Sequence, residues 1–208
     1  MTAAMDPVPS AAHLAPEDGP VTVPVSRALA VLLVVTAALG LAVSITLTLE
    51  KIRTLQNPNY TPSCNINPII SCGSVMRTAQ AEAFGFLNSL IGIAGFAIVV
   101  TVGVGMLAGA TYRRWFWLGV QGGTLFWIGF VHWLIDQTLY RIGMLCPYCM
   151  VVWAAMISLF WYTTLHNLTR GVIRLPARWK LGVREIAAYH RARTTGRGPP
   201  SGTWRSRS

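Results

Sequence analysis

Apolar residues run along this chain in four nearly unbroken blocks, without the polar face that a surface helix shows every three or four residues. The blocks cover residues 28–49, 86–108, 115–139 and 146–165. Each has about the 20 residues that a helix needs to cross a hydrocarbon core of about 30 Å. The first is a series of Ala, Val, Leu and Thr. The second carries Gly92, Gly95, Gly103 and Gly105, small residues that let helices approach closely. Trp115, Phe116 and Trp117, and later Trp161 and Tyr162, suit a membrane–water interface. The pattern predicts an all-α membrane protein, a four-transmembrane-helix bundle over residues 27–166.

The polar segments have characters of their own. Residues 1–26, rich in Pro, Ala and acidic side chains, read as a disordered tail, and they lack the charged start of a signal peptide. The loop at 50–85 begins with turn chemistry, with Pro58, Pro62, Asn65 and Pro68 in close succession. Residues 73–84 contain no such breakers and predict a short helix. Met76, Ala79, Ala83 and Phe84 would share one face of it, laid on the bundle as a lid. Residues 167–208 form a basic tail, in which 176–193 reads as a helical stretch drawn to anionic lipid.

Composition agrees with the pattern and adds a direction. Hydrophobic residues make up 53% and charged residues 12%, about half the charged share of a soluble domain. The net charge of +10 does not point to nucleic acid, because ten of the seventeen Lys and Arg residues follow residue 169. With four spans, Arg27, Arg113, Arg114 and the basic tail fall on one side, and Lys51, Arg53, Arg77 and Arg141 on the other. The positive-inside rule then puts both termini in the cytoplasm of a multi-pass inner (plasma) membrane protein. Loop 50–85 and the turn at 140–145 face the exterior, so the thiols lie on the oxidising side.

The four cysteines read as two pairs, Cys64 with Cys72 and Cys146 with Cys149. Cys146-Pro147-Tyr148-Cys149 opens the last apolar block. Two thiols three apart at a helix start lie one turn apart, where unpaired N–H groups favour thiolate. Metal binding needs three or four ligands. His13 and His190 lie in the tails, His166 at the far end of the fourth block, and only His132 could approach the thiols. No His stands directly after Cys149, where Met150 lies, which removes the haem-attachment motif. A structural disulfide at Cys64 and Cys72 is one reading, and electron relay between two pairs on one side is the other. His132 and Asp136, four apart near the end of the third block, read as a structural pair or as functional ionisable groups at membrane depth.

Cys64, then Cys72-Gly73-Ser74-Val75-Met76, Thr78, Phe84-Gly85, Asn88-Ser89 and Gly92, with a C-x-x-C opening the last block, resemble the vitamin K epoxide reductase family. The resemblance implies an enzyme that reoxidises a separate, secreted DsbA-like thioredoxin-fold partner and passes the electrons to a quinone, menaquinone or ubiquinone. It implies that Cys64 meets the partner, Cys72 exchanges with Cys146, and Cys149 faces the quinone. Thr78, Phe84, Asn88 and Trp153 would surround the quinone. Trp153 stands where animal members place a Tyr, a departure that weakens epoxide reduction more than quinone reduction. Two alternatives stand beside this reading: a quinone or vitamin K epoxide reductase uncoupled from protein folding, and a non-enzymatic membrane protein with a structural disulfide.

Overall fold

Helix α1, Arg27–Gln56, is capped by Ser26, whose Oγ accepts from the Leu29 N–H at 3.3 Å. Its 30 residues reach about 45 Å at 1.5 Å per residue, longer than an apolar core requires. The last two turns, with Glu50, Lys51 and Arg53, therefore stand clear of the apolar block that predicted a span ending at residue 49. Within the block, Thr36, Thr46 and Thr48 each turn their hydroxyl back to the carbonyl four residues earlier. That satisfies a polar group where water is absent.

The computed structural model describes residues 22–67 and 69–173, with Gly182 and Ala188 beyond them. The readings of 1–21 and, apart from Gly182 and Ala188, of the basic stretch at 176–193 lie outside the described residues. Among the described residues, four helices are long and apolar enough to cross a membrane. They are α1, α3 (Asn88–Leu107), α4 (Arg114–Asp136) with the wide turn that extends it to Ile142, and α5 (Pro147–Thr169). The short helix α2 is Cys72–Met76.

Small residues set how the helices meet. A methyl group on Gly40 would overlap the ring of Phe96, so this glycine is what lets α1 close on α3. Thr48 Oγ1, its proton turned to the Ser44 carbonyl, lies 2.8 Å from Ser89 Oγ and accepts from it across the same seam. Helix α5 packs on α1 and α4, while α3 and α4 are not packed closely on each other. The core lies where Leu33, Ala37, Phe96, Trp117 and Leu159 converge. Val35, Leu39, Ile98, Leu125 and Phe126 point outward and stay exposed, an apolar exterior suited to lipid rather than water.

Three local readings are corrected. Thr22–Val23 is not part of a disordered tail: it pairs antiparallel with Tyr112–Arg113, and Val23 is buried in the apolar cluster that includes Val172. The lid is not one helix. Helix α2 ends at Met76, and a separate 3-10 turn spans Ala79–Glu82, because Thr78 is extended between them. Met76, Ala79, Ala83 and Phe84 thus share no common face. Finally, α4 does not give way to a polar turn at Tyr140. It widens into a π turn, Gln137–Ile142, stopped by Gly143 at φ 69°, a conformation that favours glycine.

Candidate active site

The four cysteines meet at one end of the bundle, where α1 finishes and α3 and α5 begin. Backbone pairing brings them there. The Ser71 N–H donates to the Leu145 carbonyl at 3.0 Å, and the Leu145 N–H donates to the Ile69 carbonyl at 2.8 Å. This parallel bridge lays the residues before Cys72 beside the residues before Cys146. Ser71 caps α2 through its Oγ, and Asn65 Oδ1 accepts from the Gly73 N–H and Ser71 Oγ–H, folding the Cys64 segment back on the helix.

Cys64 and Cys72 form a disulfide, with Cα atoms 5.6 Å apart. Cys146 Sγ lies 3.2 Å from Cys72 Sγ and is directed at the disulfide. Cys146 is also the cap of α5, its sulfur accepting from the Cys149 N–H at 3.4 Å. Pro147 occupies the first turn, where a missing N–H costs nothing. The Cys146 thiol is held below its ordinary value of 9.0, chiefly by a hydrogen bond from the Cys149 side chain, with burial opposing and the N–H groups of Cys149 and Tyr148 assisting. This arrangement favours a thiolate beside a disulfide sulfur, the geometry of thiol–disulfide exchange. Cys64 is 5% exposed, Cys72 not at all, and Cys146 1%.

Below the sulfurs lies a predominantly apolar cavity of about 510 Å³. Cys149, Trp153, Thr78 and Asn88 line it near the thiol end, and it continues past Gly92 and Gly123 between α3 and α4. Those two helices, which both line the cavity, are not packed closely on each other. Asn88 uses both ends of its amide on the lid: its N–H₂ donates to the Gln80 carbonyl at 2.7 Å, and its Oδ1 accepts from the Ala83 N–H at 3.2 Å. Thr78 donates its hydroxyl to the Val75 carbonyl at 2.7 Å. Lys51 Nζ donates to the Met76 carbonyl at 2.6 Å and pairs with Glu82 at 3.1 Å, tying α1 to both pieces of the lid.

Phe84 is the expected site residue that falls elsewhere. It is half-exposed, packs on the Phe130 ring at 5.1 Å, and takes no part in the cavity wall. The break between α2 and the 3-10 turn carries it outside. His132 and Asp136 are exposed and do not line the cavity: His132 Nδ1 contacts the Ile128 carbonyl of its own helix, and Asp136 accepts from Gln137. Among the described residues no group of three His, Cys, Asp or Glu side chains could hold a metal.

Several residues that matter here escape a reading of the sequence. Leu145 and Ile70 act through backbone alone. Glu50, buried at 4% exposure, accepts from Tyr60 Oη and Ser63 Oγ. Its one legible signal is an acidic residue directly at the end of an apolar block, next to Lys51.

No curated protein matches the chain closely enough to carry a comparison. The sequence does match the vitamin K epoxide reductase family over residues 31–164, which takes in α3, α4, all four cysteines and most of α1 and α5. A chain with four membrane-length helices, two cysteine pairs in reach of each other, and that match over more than half its length belongs to the vitamin K epoxide reductase family of membrane thiol–disulfide oxidoreductases that work with quinones.

Proposed function

We propose that this protein takes electrons from a secreted, DsbA-like thioredoxin-fold protein and delivers them to a membrane quinone, so sustaining disulfide formation outside the cytoplasm. The observation that carries this reading is the 3.2 Å approach of Cys146 Sγ to the Cys64–Cys72 disulfide, with Cys149 on the cavity side of the same motif. Reduced partner thiolate attacks Cys64, and Cys72 leaves as thiolate. The partner's second thiol then releases Cys64, so the loop pair gains two electrons and the partner gains a disulfide. Cys72 thiolate next attacks Cys146 of the Cys146–Cys149 disulfide, and Cys149 leaves as thiolate into the cavity. Cys64 resolves the Cys72–Cys146 bond, restoring the loop disulfide and freeing Cys146. The pair found here, a closed loop disulfide above two free thiols, matches the outcome of that step.

The cavity fits a quinone: its wall is largely apolar, and polar groups gather only at the thiol end. The quinone serves as the two-electron, two-proton acceptor while Cys146 and Cys149 return to a disulfide. Asn88 has a second N–H to offer a carbonyl oxygen that gains negative charge, and Thr78 and Trp153 wall the same region. The gap left between α3 and α4, both of which line the cavity, suits a long isoprenoid tail, as in menaquinone or ubiquinone. Both termini lie in the cytoplasm in this reading, supported by the thirteen basic residues on that side against four on the other.

The test is anaerobic mixing of fully reduced protein with a quinone, following quinol formation optically. With excess quinone, wild type yields two quinols per protein, the first from Cys146 and Cys149 and the second after the loop thiols have reduced the disulfide they leave, and Cys149→Ala yields none. Quinol formation by Cys149→Ala at the wild-type rate removes this function.

A further inference from the structure

A buried carboxylate sits beside the relay without belonging to it. Glu50, on the last turns of α1, is 4% exposed, and burying a charged group is costly unless hydrogen bonds replace its water. Two hydroxyls do so: Ser63 Oγ donates to Glu50 Oε1 at 2.8 Å, and Tyr60 Oη donates to Oε2 at 3.0 Å. Ser63 Oγ lies a further 3.2 Å from Tyr148 Oη. Ser63 precedes Cys64, and Tyr148 lies inside the C-x-x-C. One continuous set of hydrogen bonds therefore joins the end of α1, the segment bearing Cys64, and the first turn of α5.

We propose that Glu50 and Ser63 are positioning residues for exchange between the two cysteine pairs, holding the Cys64 segment against the C-x-x-C so that Cys72 stays within reach of Cys146. The proposal rests on the relay described above. The sulfur-to-sulfur distance must be kept while bonds at Cys72 are made and broken. When Cys64 is released by the partner, its covalent tie to Cys72 is gone. The backbone bridge at Ile70 and Leu145 still holds the Cys72 side. On the Cys64 side, the Asn65 side chain reaches Ser71 and Gly73, and Ser63 reaches Glu50 and Tyr148. The Ser63 contacts are the ones that reach the C-x-x-C helix. They matter most in the reduced loop, which is when Cys64 must return to attack the Cys72–Cys146 bond. No proton or electron is moved by Glu50 in this scheme, and charged groups near it enter only as neighbours: Lys51 is committed to Met76 and Glu82.

The experiment measures two rates in the whole protein, reconstituted with quinone. One is transfer from the prereduced loop pair to Cys146–Cys149, read by rapid acid quench and mass-resolved thiol labelling. The other is oxidation of a small dithiol, which can attack the Cys146–Cys149 disulfide without the loop. Ser63 is exposed, so changing it opens no hole in the core. Ser63→Ala slows inter-pair transfer by about 5- to 10-fold, the effect of losing one to two hydrogen bonds. Small-dithiol oxidation stays at its wild-type rate, and Ser63→Thr, which keeps the hydroxyl, restores transfer. Glu50→Gln, nearly isosteric but uncharged, falls between wild type and Ser63→Ala in transfer. Wild-type transfer in Ser63→Ala, or equal slowing of both rates, overturns the positioning role. Absence of any inter-pair transfer in the wild-type protein overturns the relay itself, a result distinct from the first.

Discussion

Glu50 at the sulfur-bearing end of the bundle and Asn167 at the other are both buried, yet their polar atoms fare differently. Both carboxylate oxygens of Glu50 are bonded to hydroxyls. Asn167, fully buried near the end of α5, donates to Gln121 Oε1 at 2.9 Å, but among the described residues its Oδ1 has no partner. Trp117 Nε1, Thr163 Oγ1 and His166 Nε2, also buried, likewise have no hydrogen-bond partner among the described residues. An unsatisfied buried polar group costs about 1–3 kcal/mol. The sulfur end spends side chains of the loop to satisfy its polar atoms, and in doing so fixes where the sulfurs lie. At the other end these four side chains, all on helices, keep polar atoms without a partner among the described residues, where no chemistry depends on position. Polar satisfaction is concentrated where geometry matters.

The comparison can be tested from its strongest claim downward. Cys72→Ala removes the sulfur that links the two pairs. Oxidation of a thioredoxin-fold partner then falls by about 100-fold or more, while a small dithiol is still oxidised through Cys146–Cys149. Equal loss of both activities would mean that the loop pair serves the bundle's structure rather than the relay. Next in size, Asn88→Leu releases the lid at Gln80 and Ala83 and takes away a donor at the cavity. The KM for quinone rises by about tenfold, the effect of one to two hydrogen bonds. An unchanged KM would show that the lid is held elsewhere.

A smaller effect concerns the Cys146 thiol, whose value is lowered chiefly by the Cys149 side chain. Removing a donor to a thiolate raises its pKa. In protein with the loop disulfide intact, Cys149→Ala therefore moves the Cys146 titration upward, followed by ultraviolet thiolate absorbance. Cys149→Ser keeps a hydroxyl donor and holds it down. Identical titrations in the two variants would locate the cause in the helix N–H groups instead. The smallest effect belongs to the opposite end: Thr163→Val deletes a hydroxyl that has no partner among the described residues, in a side chain of similar shape. Its thermal midpoint stays equal to wild type or rises slightly, and electron transfer is unaffected. A marked loss of stability would reveal a partner for that hydroxyl.

These contrasts also show what could be read from residues alone. The four spans were legible because apolar runs of membrane length need no tertiary information, and the cysteines because their spacing is chemical. Thr78, Asn88 and Trp153 came from resemblance, and all three line the cavity. Phe84 did not follow, because the lid breaks at Thr78 and a broken helix has no continuous face. The bridge between Ile70 and Leu145 spans 75 positions and uses backbone atoms, so no side-chain pattern announces it. Glu50 was silent for a related reason. Its partners lie in a loop whose path is set by Pro and Asn turns, and the carboxylate has meaning only once that path is known.

The separation of α3 from α4 has a consequence for kinetics. A reactant that enters between two helices arrives by diffusing within the bilayer, so its encounter rate follows its mole fraction in lipid and not its amount per volume of water. Diluting proteoliposomes with buffer leaves such a supply unchanged, whereas fusing them with quinone-free vesicles starves the enzyme. The state of the surrounding lipid thereby becomes a control on turnover that no residue of the active site provides.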